Sequence, residues 1–441
     1  MNGNGRPYGA PNGVRVALRS RWARVLRLMY PGVGIKRWLL VGAAGIAVWS
    51  IGTAFMLRKL FALGFPDFLP WHFEGILLLG IGIFVVLLAI YGLYRSIAPL
   101  VLGSSSFDSL ADTIYTRRSR GRGPRIVAIG GGTGLSVLLR GLKTHTDNLT
   151  AIISVADDGG SSGRLRRELG VLPPGDFRNC LVALSEEESL LAELFQYRFE
   201  QGNGLAGHSF GNLFIVAMSN VTKSFDRALY ESSRVLAIQG QIVPATVANL
   251  SLSADLKDGT RVTGESSITE HGGDINRLFI DPPDAEAYPM AVEAIEQAQL
   301  IVIGPGSLYT SILPNLLVSG ISRAIQGAEC SKIYVCNVAT ERGETMGYAV
   351  ADHLAALQRH TFPEVVDYVV ANDDPDDAAP GIAGELVTHD GRPLQHAKLE
   401  LRDLADSKHR VRHDSKKLAG AIMDVYQGRR TNSVSARSGV R

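Results

Sequence analysis

The chain has 441 residues, of which 46% are hydrophobic, so it can bury a core of one large domain or two domains. Its net charge of +2 conceals an asymmetry, because residues 1–125 carry +12 and the remaining residues carry −10. This distribution argues against an evenly basic nucleic-acid-binding protein and favours a basic segment on an anionic lipid surface, followed by an acidic body. Three cysteines without CxxC spacing indicate buried, reduced thiols.

Residues 1–100 contain two uncharged apolar runs, Trp38–Leu57 and Gly75–Tyr94, each long enough to cross a bilayer core of about 30 Å. Neither run has a small-residue cleavage site, which disfavours a cleavable signal. Eight Lys and Arg precede the first run and six lie in 95–125, whereas the intervening loop 58–74 has two. The positive-inside rule therefore predicts a multi-pass protein of the cell membrane with two transmembrane helices and both termini in the cytoplasm.

Upstream of these runs, apolar residues repeat at helical spacing between Val14 and Met29, with five arginines among them. This pattern predicts a basic amphipathic helix on the inner leaflet, with a disordered basic leader as the alternative. Residues 101–124 are polar and are interpreted as a linker to a domain at 125–430. Residues 431–441 are predicted to form a disordered tail.

The domain begins with an apolar run and a glycine loop, Arg125-Ile-Val-Ala-Ile-Gly-Gly-Gly-Thr-Gly-Leu-Ser136. β-branched residues favour a buried parallel strand, and Gly130, Gly131, Gly132 and Gly134 would let backbone N–H groups approach a diphosphate at a helix N-terminus. The spacing differs from the dinucleotide fingerprint, so a strand-to-helix turn without a ligand is the alternative. No Lys-Ser/Thr pair follows, which excludes a regular P-loop NTPase.

A second apolar run, Leu149–Ala156, ends in Asp157 and Asp158, followed by small hydroxyl residues and Arg164. Open α/β sheets bind ligands at this end of a strand, and the two carboxylates could hold Mg²⁺. Adjacent aspartates also cap turns, and the sequence leaves the two interpretations open.

Two further loops carry polar residues into apolar helices: 173–179, with Asp176, Arg178 and Asn179, and 207–212, with His208 and Asn212. Repetition of this arrangement suggests one convergent site. His208 is interpreted as a ligand contact rather than a catalyst, although a structural hydrogen bond is the commoner role of a lone loop histidine. HExxH and CxxC motifs are absent from the sequence, which removes the metalloprotease hypothesis.

Later in the chain, Val247–Leu256 and Arg261–Ile268 flank Lys257-Asp-Gly-Thr260, which predicts a β-hairpin insertion. Residues 222–238 are predicted to form one helix. Parallel alternation resumes with the strand Leu300–Ile303 and a second glycine-bearing strand end, 304–311. The predicted fold is α/β, a Rossmann-like, mostly parallel sheet with a small β-hairpin insertion, preceded by two transmembrane helices.

Five stretches together resemble the gluconeogenesis factor (YvcK) family of the CofD-like superfamily: Gly-Gly-Gly-Thr-Gly-Leu-Ser at 130–136, Asp-Asp-Gly-Gly-Ser-Ser-Gly-Arg at 157–164, Pro-Pro-Gly-Asp-Phe-Arg-Asn-Cys at 173–180, Gly-His-Ser-Phe-Gly-Asn at 207–212 and Gly-Pro-Gly-Ser-Leu-Tyr-Thr-Ser at 304–311. The resemblance covers residues 125–427. It implies a cytoplasmic domain that binds UDP-activated sugars, such as UDP-N-acetylglucosamine, and serves carbon metabolism, cell shape and envelope growth.

The resemblance and the loop pattern together give a set of expected ligand-binding residues, with Asp157 and Asp158 also as metal ligands: Gly130, Gly131, Gly132, Thr133, Gly134, Asp157, Asp158, Ser161, Ser162, Arg164, Asp176, Arg178, Asn179, His208, Asn212, Gly304, Gly306, Ser307, Tyr309, Thr310 and Arg342. Two departures from the family are Glu341, where the family usually has Gln, and the hydrophobic segment 38–94. Phosphorylation of Thr340 or Thr345 is a hypothesis from position alone.

Tyr309 and Arg342 are the candidates for the uracil end of the ligand, because an aromatic ring stacks on a base and an Arg fork pairs with phosphate. The alternatives are that Tyr309 packs beneath its helix and that Arg342 pairs with a neighbouring glutamate.

Three functions remain open at this point. The leading hypothesis is a membrane-tethered regulator that binds a UDP-sugar, needs no cofactor, and acts on an unidentified protein of envelope synthesis, with a homo-oligomer as an option. The second is an Mg²⁺-dependent phosphoryl or nucleotidyl transferase that resembles 2-phospho-L-lactate transferase, with Asp157, Asp158 and Arg178 as catalytic residues. The third is a scaffold with empty glycine loops.

Overall fold

The computed structural model describes residues 35–60, 76, 79–92, 120–185, 190–373 and 385–438. They fall into two compact units, residues 1–119 and the body, residues 120–441. The predicted amphipathic helix at 14–29, the loop 61–74 and the linker residues 101–119 lie outside the described residues.

The first unit contains two helices, α1 (Ile35–Leu60) and α2 (residues 79–92). They pack in antiparallel orientation, with Gly42 against Ala89, Gly45 against Val86 and Gly82 against Trp49. A Cβ atom on Gly82 would lie 2.7 Å from the backbone of Trp49, so a small residue is required for this approach. In the part of the chain that the structure describes, no helix combines the length and the apolar character needed to cross a membrane.

The body is built on a seven-stranded, fully parallel sheet. Its strands are β1 (Ile126–Gly130), β2 (Leu149–Ile153), β3 (Gln241–Pro244), β7 (Leu300–Ile303), β8 (Ser331–Val335), β9 (Tyr368–Asn372) and β10 (Lys398–Arg402). They lie in the order β10-β9-β8-β7-β1-β2-β3. The order reverses between β1 and β7, as in doubly wound nucleotide-binding folds. The predicted Rossmann-like sheet is therefore confirmed.

Helices cover the sheet between these strands. They are α3 (Gly132–Leu142), α4 (Gly160–Leu169), α5 (Gly175–Leu184), α6 (Leu190–Gln196), α7 (Phe210–Thr222), α8 (Phe225–Val235), α9 (Glu265–His271), α10 (Pro289–Glu296), α11 (Leu313–Leu316), α12 (Ser319–Gly327), α13 (Val350–His360) and α14 (Ser415–Ser438). A π-helical turn, Leu308–Ile312, precedes α11. Every residue of β1 and β7 is buried, which places the hydrophobic core at the centre of the sheet.

The insertion is larger than the predicted hairpin. It is a three-stranded antiparallel sheet of β4 (Ser251–Leu256), β5 (Arg261–Thr263) and β6 (Ile275–Asp281), in the order β5-β4-β6. The Asp-Gly turn joins β4 to β5 as predicted, but the second run is a strand for only three residues. Gly264 then adopts a φ of +104°, and α9 begins at the next residue.

Two other boundaries differ from the predicted ones. The helix predicted at 222–238 is present as α8 over 225–235, because Thr222 ends α7, Lys223 takes a left-handed conformation and Ser224 caps α8 by accepting a hydrogen bond from the N–H of Arg227. The predicted disordered tail begins inside α14, which continues to Ser438.

Candidate functional site

Two glycine loops meet at the carboxyl ends of β1 and β7. A Cβ atom on Gly134 would lie 2.6 Å from the carbonyl oxygen of Pro305, and one on Gly306 would lie 3.2 Å from the carbonyl oxygen of Gly131. Gly304 has a φ of +80°, which directs the second loop back over the first. The two glycine loops at the point where the strand order reverses are therefore in close backbone contact. Gly130 and Gly304 lie next to this contact.

A cleft of about 570 Å³ opens beside these loops. It is bounded by the exposed face of α3, the loops after β7 and β8, and a short loop before α14. Its lining residues are Gly132, Thr133, Gly134, Ser136, Val137, Arg140, Asn179, Gln196, Pro305, Gly306, Ser307, Ser311, Asn337, Val338, Ala339, Thr340, Glu341, Val411, Arg412 and His413. Six of the predicted site residues are among them: Gly132, Thr133, Gly134, Asn179, Gly306 and Ser307.

The paired aspartates do not line this cleft. Asp158 accepts hydrogen bonds from the backbone N–H groups of Glu265 and Ser266, both at 2.9 Å, and so caps α9. Asp157 accepts the N–H of Gly159 at 2.9 Å, and burial raises its pKa. Among the described residues, no group of three or more His, Cys, Asp or Glu side chains is arranged to hold a metal ion. The geometry of Asp158 fits the capping interpretation.

Asp176 lies at the glycine loop itself, in the first turn of α5. Its carboxylate accepts a hydrogen bond from the backbone N–H of Gly132, and the residue is half-buried. Burial, reinforced by the charge of Asp157, raises the pKa of Asp176 to about 6, while the Gly132 hydrogen bond and Arg178 oppose the shift. The first N–H of α3 is therefore bonded to a carboxylate of the protein, at the position where the sequence predicted a diphosphate.

Arg178 and the loop 207–212 form a buried polar network behind the cleft. Arg178 donates to Ser209 Oγ at 2.6 Å and to Asn179 Oδ1 at 2.8 Å. Burial lowers the pKa of Arg178, and its Nε has no partner among the described residues. This arginine orders two loops from inside the body, so the predicted direct contact of Arg178 with a phosphate is at odds with its position.

The Ser161 and Ser162 hydroxyls are also hydrogen-bonded to other residues of the protein. Ser161 Oγ is hydrogen-bonded to His208 Nδ1 at 2.8 Å and accepts a bond from Asn212 Nδ2 at 3.0 Å. Ser162 bonds Asp157. His208 is buried, and burial lowers its pKa. These contacts fit the structural role of His208 that the sequence left open.

Arg164 is another predicted anion partner with an internal role. Its Nη2 donates to the carbonyl oxygen of Ala206 at 3.0 Å and so fastens the loop before α7 to α4. The sequence placed Arg164 next to the paired aspartates, but the structure directs its guanidinium toward this loop.

Tyr309 is completely buried, with 0% of its surface exposed. Its hydroxyl is hydrogen-bonded to that of Tyr348 at 2.9 Å, and its backbone N–H donates to Glu344 at 3.0 Å. Thr310 also donates to Glu344, at 2.6 Å. The ring of Tyr309 does not line the cleft, and its burial fits the packing alternative.

The loop after β8 holds the remaining predicted residues. Arg342 is exposed and does not line the cleft. Thr340 and Thr345 are buried, and each hydroxyl accepts a backbone hydrogen bond, from Glu385 and Glu341 respectively. Their burial disfavours phosphorylation of either threonine in this conformation.

Several cleft residues were missed by sequence reasoning. Arg140 shares the helical spacing of Thr133 and Val137 on α3, so the periodicity could have revealed it. Arg412 and His413 belong to a loop far along the chain, without a motif. His413 Nε2 is hydrogen-bonded to the carbonyl oxygen of Cys336 at 3.1 Å, and burial lowers its pKa to about 4. Burial and Glu344 raise the pKa of Glu341 to about 7.

Comparisons of the chain with protein-family models, with relatives and with solved structures agree with one another. Residues 126–420 match the family model of 2-phospho-L-lactate transferase CofD. The chain is 46% identical to the gluconeogenesis factor of Bacillus subtilis, with 70% of this chain and 99% of the relative covered. It is 45% identical to a Nostoc sp. protein that also carries the gluconeogenesis factor name, with 90% of this chain and 92% of the relative covered. A crystal structure of a Bacillus halodurans protein is 47% identical, with a TM-score of 0.65, and covers 68% of this chain and 100% of its own.

Proposed function

The chain belongs to the gluconeogenesis factors of the CofD family, and from this premise we propose that it is a membrane-tethered, cytoplasmic-facing regulator that binds a UDP-activated sugar. In this proposal, binding of the UDP-sugar signals that envelope precursors are available. The ligand-bound regulator then acts on a protein of cell-envelope synthesis. UDP-N-acetylglucosamine is the first ligand to test.

The observation that carries the proposal is the cleft at the reversal of the sheet. Doubly wound sheets bind nucleotides outside the carboxyl ends of the strands at this point. The volume of about 570 Å³ is within the range of small-molecule sites, roughly 300–1,000 Å³. Backbone atoms of the two glycine loops line the cleft and offer donors and acceptors for ribose or sugar hydroxyl groups, whereas the Asn337 amide is already bonded to Gly306 and Glu341.

A binding role without turnover is supported because the candidate catalytic groups are already hydrogen-bonded within the protein. Asp158 caps α9, Asp157 closes its own turn, and Arg178 bonds Ser209. A transferase would need these groups to reach a substrate. The alternative function, an Mg²⁺-dependent transferase of phosphorus-containing groups, is favoured by the match to the CofD model over residues 126–420.

The membrane tether is supported by the surface of the first unit. Large apolar side chains are exposed on both helices, including Leu40 at 72%, Phe84 at 65% and Tyr91 at 62%. Contiguous exposed apolar surface is typical of membrane or protein contacts, and glycines at the α1–α2 contact are common where helices pack in lipid. The Nostoc match covers 90% of this chain, whereas the body is less than three quarters of it, so that match extends into the first unit.

A thermal-shift titration of the full-length protein in detergent with UDP-N-acetylglucosamine tests the binding proposal. The melting temperature should rise with ligand concentration, because ligand binds only the folded state. Thr133→Phe, which places a ring in the cleft from an exposed position, should abolish the rise. Thr260→Phe in the β4–β5 turn is the matched control and should retain it.

The absence of a shift with every nucleotide sugar tried would refute the proposal and favour an empty scaffold. Incubation with Mg²⁺, a UDP-sugar and candidate acceptors separates regulator from enzyme. Turnover that disappears in Asp158→Asn, with the fold retained, would replace the regulator by the transferase.

A further inference from the structure

Arg140 and Arg412 both line the cleft, and neither guanidinium has a protein partner among the described residues. Arg140 lies in the last turn of α3 and Arg412 in the loop before α14, and both are exposed side chains that line the cleft. Within the described residues, no hydrogen bond or ion pair is made by either guanidinium. By contrast, Arg164, Arg166 and Arg178 all donate to the protein itself.

The loop that carries Arg412 is held in place before any ligand arrives. His413 bonds the Cys336 carbonyl, and the backbone N–H of Asp406 donates to the carbonyl oxygen of Arg412 at 2.8 Å. A Cβ atom on Gly141 would collide with the carbonyl oxygen of Ser415, so α14 starts in direct contact with the end of α3. This contact brings the Arg412 loop beside the turn that contains Arg140.

The charges of the lining residues favour an anion at the end of the cleft that contains Arg140 and Arg412. Glu341 is the one acidic residue among the lining residues, its carboxylate accepts a bond from Asn337 at 3.3 Å, and its pKa is raised to about 7. The other place expected for an anion, the first N–H of α3, is bonded to Asp176. The carboxylate of Asp176 disfavours an anion at the start of α3, whereas the two arginines offer donors that the described part of the protein does not use.

We propose, on the basis of the nucleotide-sugar function above, that Arg140 and Arg412 hold the diphosphate of the ligand, and that the glycine loops hold one of its uncharged ends. Arg140 follows Gly132 by eight residues, which is about 12 Å along a helix. This distance suits an elongated ligand such as a nucleoside diphosphate sugar, and planar guanidinium forks bind phosphate oxygens in pairs.

Isothermal titration of the full-length protein with UDP and with uridine tests the assignment. Arg140→Gln and Arg412→Gln should each weaken UDP binding about tenfold or more, as expected for loss of a charged hydrogen bond. Uridine, which lacks phosphate, should bind all variants within about twofold of the unmodified protein. Inorganic pyrophosphate should compete with UDP in the unmodified protein.

Arg140→Lys and Arg412→Lys should lose less affinity than the Gln variants, because charge is kept and only the fork is lost. Arg323→Gln, an exposed arginine on α12, is the matched control and should bind UDP normally. If the unmodified protein binds UDP and both Gln variants bind it equally well, the assignment fails and the proposed function stands. If the unmodified protein binds neither UDP nor a UDP-sugar, both fail.

Discussion

Asp158 caps the helix that begins at Glu265, and this contact joins the antiparallel insertion to the parallel sheet. The two carboxylate oxygens of Asp158 each accept one backbone N–H of α9, from Glu265 and Ser266, at 2.9 Å. Unpaired N–H groups at the start of a helix are satisfied in this way, and the negative charge is favourable there. A residue that resembles a metal ligand in the sequence thus has a structural role.

Replacing Asp158 by Ala should lower the free energy of unfolding by about 1–2 kcal/mol, because the cap of α9 is lost. Urea denaturation of the full-length protein measures this change. Glu270→Ala, an exposed residue on the same helix, is the control and should stay within about 0.5 kcal/mol. A metal role for Asp158 would give a different result: a loss of stability that appears only when Mg²⁺ is present.

The central part of the fold could be predicted because its strands are continuous apolar runs. β1 and β7 are buried along their whole length, and each is followed by glycines. The missed strands have weaker patterns. β10, Lys398–Arg402, is an edge strand with three charged residues among five, and β6 exposes Asn276, Arg277 and Asp281 beside its buried positions.

Residues of the candidate site could be predicted from the sequence only where a single local motif contains them. The glycine loops line or support the cleft because local backbone geometry places them at strand ends. Asp176 could not be assigned to the Gly132 N–H, since a long-range contact between α5 and α3 creates that bond. Arg412 reaches the cleft through the packing of α14 on α3, a relationship that local sequence patterns do not encode.

Glu265 should make stability depend on pH. Burial, with the nearby charges of Asp157, Asp158, Glu344 and Asp176, raises the pKa of its carboxyl to about 8 from 4.5. The folded state therefore binds a proton more tightly than the unfolded state, and this stabilising contribution is complete at low pH and is lost as pH rises from about 4.5 through 8.

Glu265→Gln removes this titration. The free energy of unfolding of the variant, relative to that of the unmodified protein, should increase as the pH rises from 5 to 9. The total increase should be on the order of 2–4 kcal/mol. Chemical denaturation at several pH values provides the measurement. Glu270→Gln serves as the control on the same helix and should show no such gain. Parallel stability curves for Glu265→Gln and the unmodified protein would contradict the raised pKa of this carboxyl.

Tyr309 should act on stability rather than on ligand binding. Tyr309→Phe loses the hydrogen bond to Tyr348 and should cost about 1 kcal/mol, whereas Tyr309→Ala leaves a core cavity and should cost about 3–5 kcal/mol. UDP affinity of folded Tyr309→Leu, which removes the ring, should match that of the unmodified protein, because the ring does not line the cleft. Tyr348→Phe completes a double-mutant cycle for the hydroxyl pair. Weakened UDP binding by folded Tyr309→Leu would restore a stacking role for this tyrosine.

The membrane hairpin predicts that residues 58–74 face the outside of the cell and that both termini face the cytoplasm. Of the native thiols, Cys180 and Cys336 are buried and Cys330 is partly exposed, so Cys330→Ser provides a background with little labelling. On it, Asp67→Cys should react with a membrane-impermeant maleimide in intact cells, whereas Ser119→Cys should react only after permeabilisation. The physical reason is the distribution of Lys and Arg, with eight before the first apolar run, two in the loop and six in 95–125, since cytoplasmic flanks retain positive charge. Labelling of Ser119→Cys in intact cells with protection of Asp67→Cys would reverse the orientation, and labelling of neither site before permeabilisation would remove the spanning hairpin altogether.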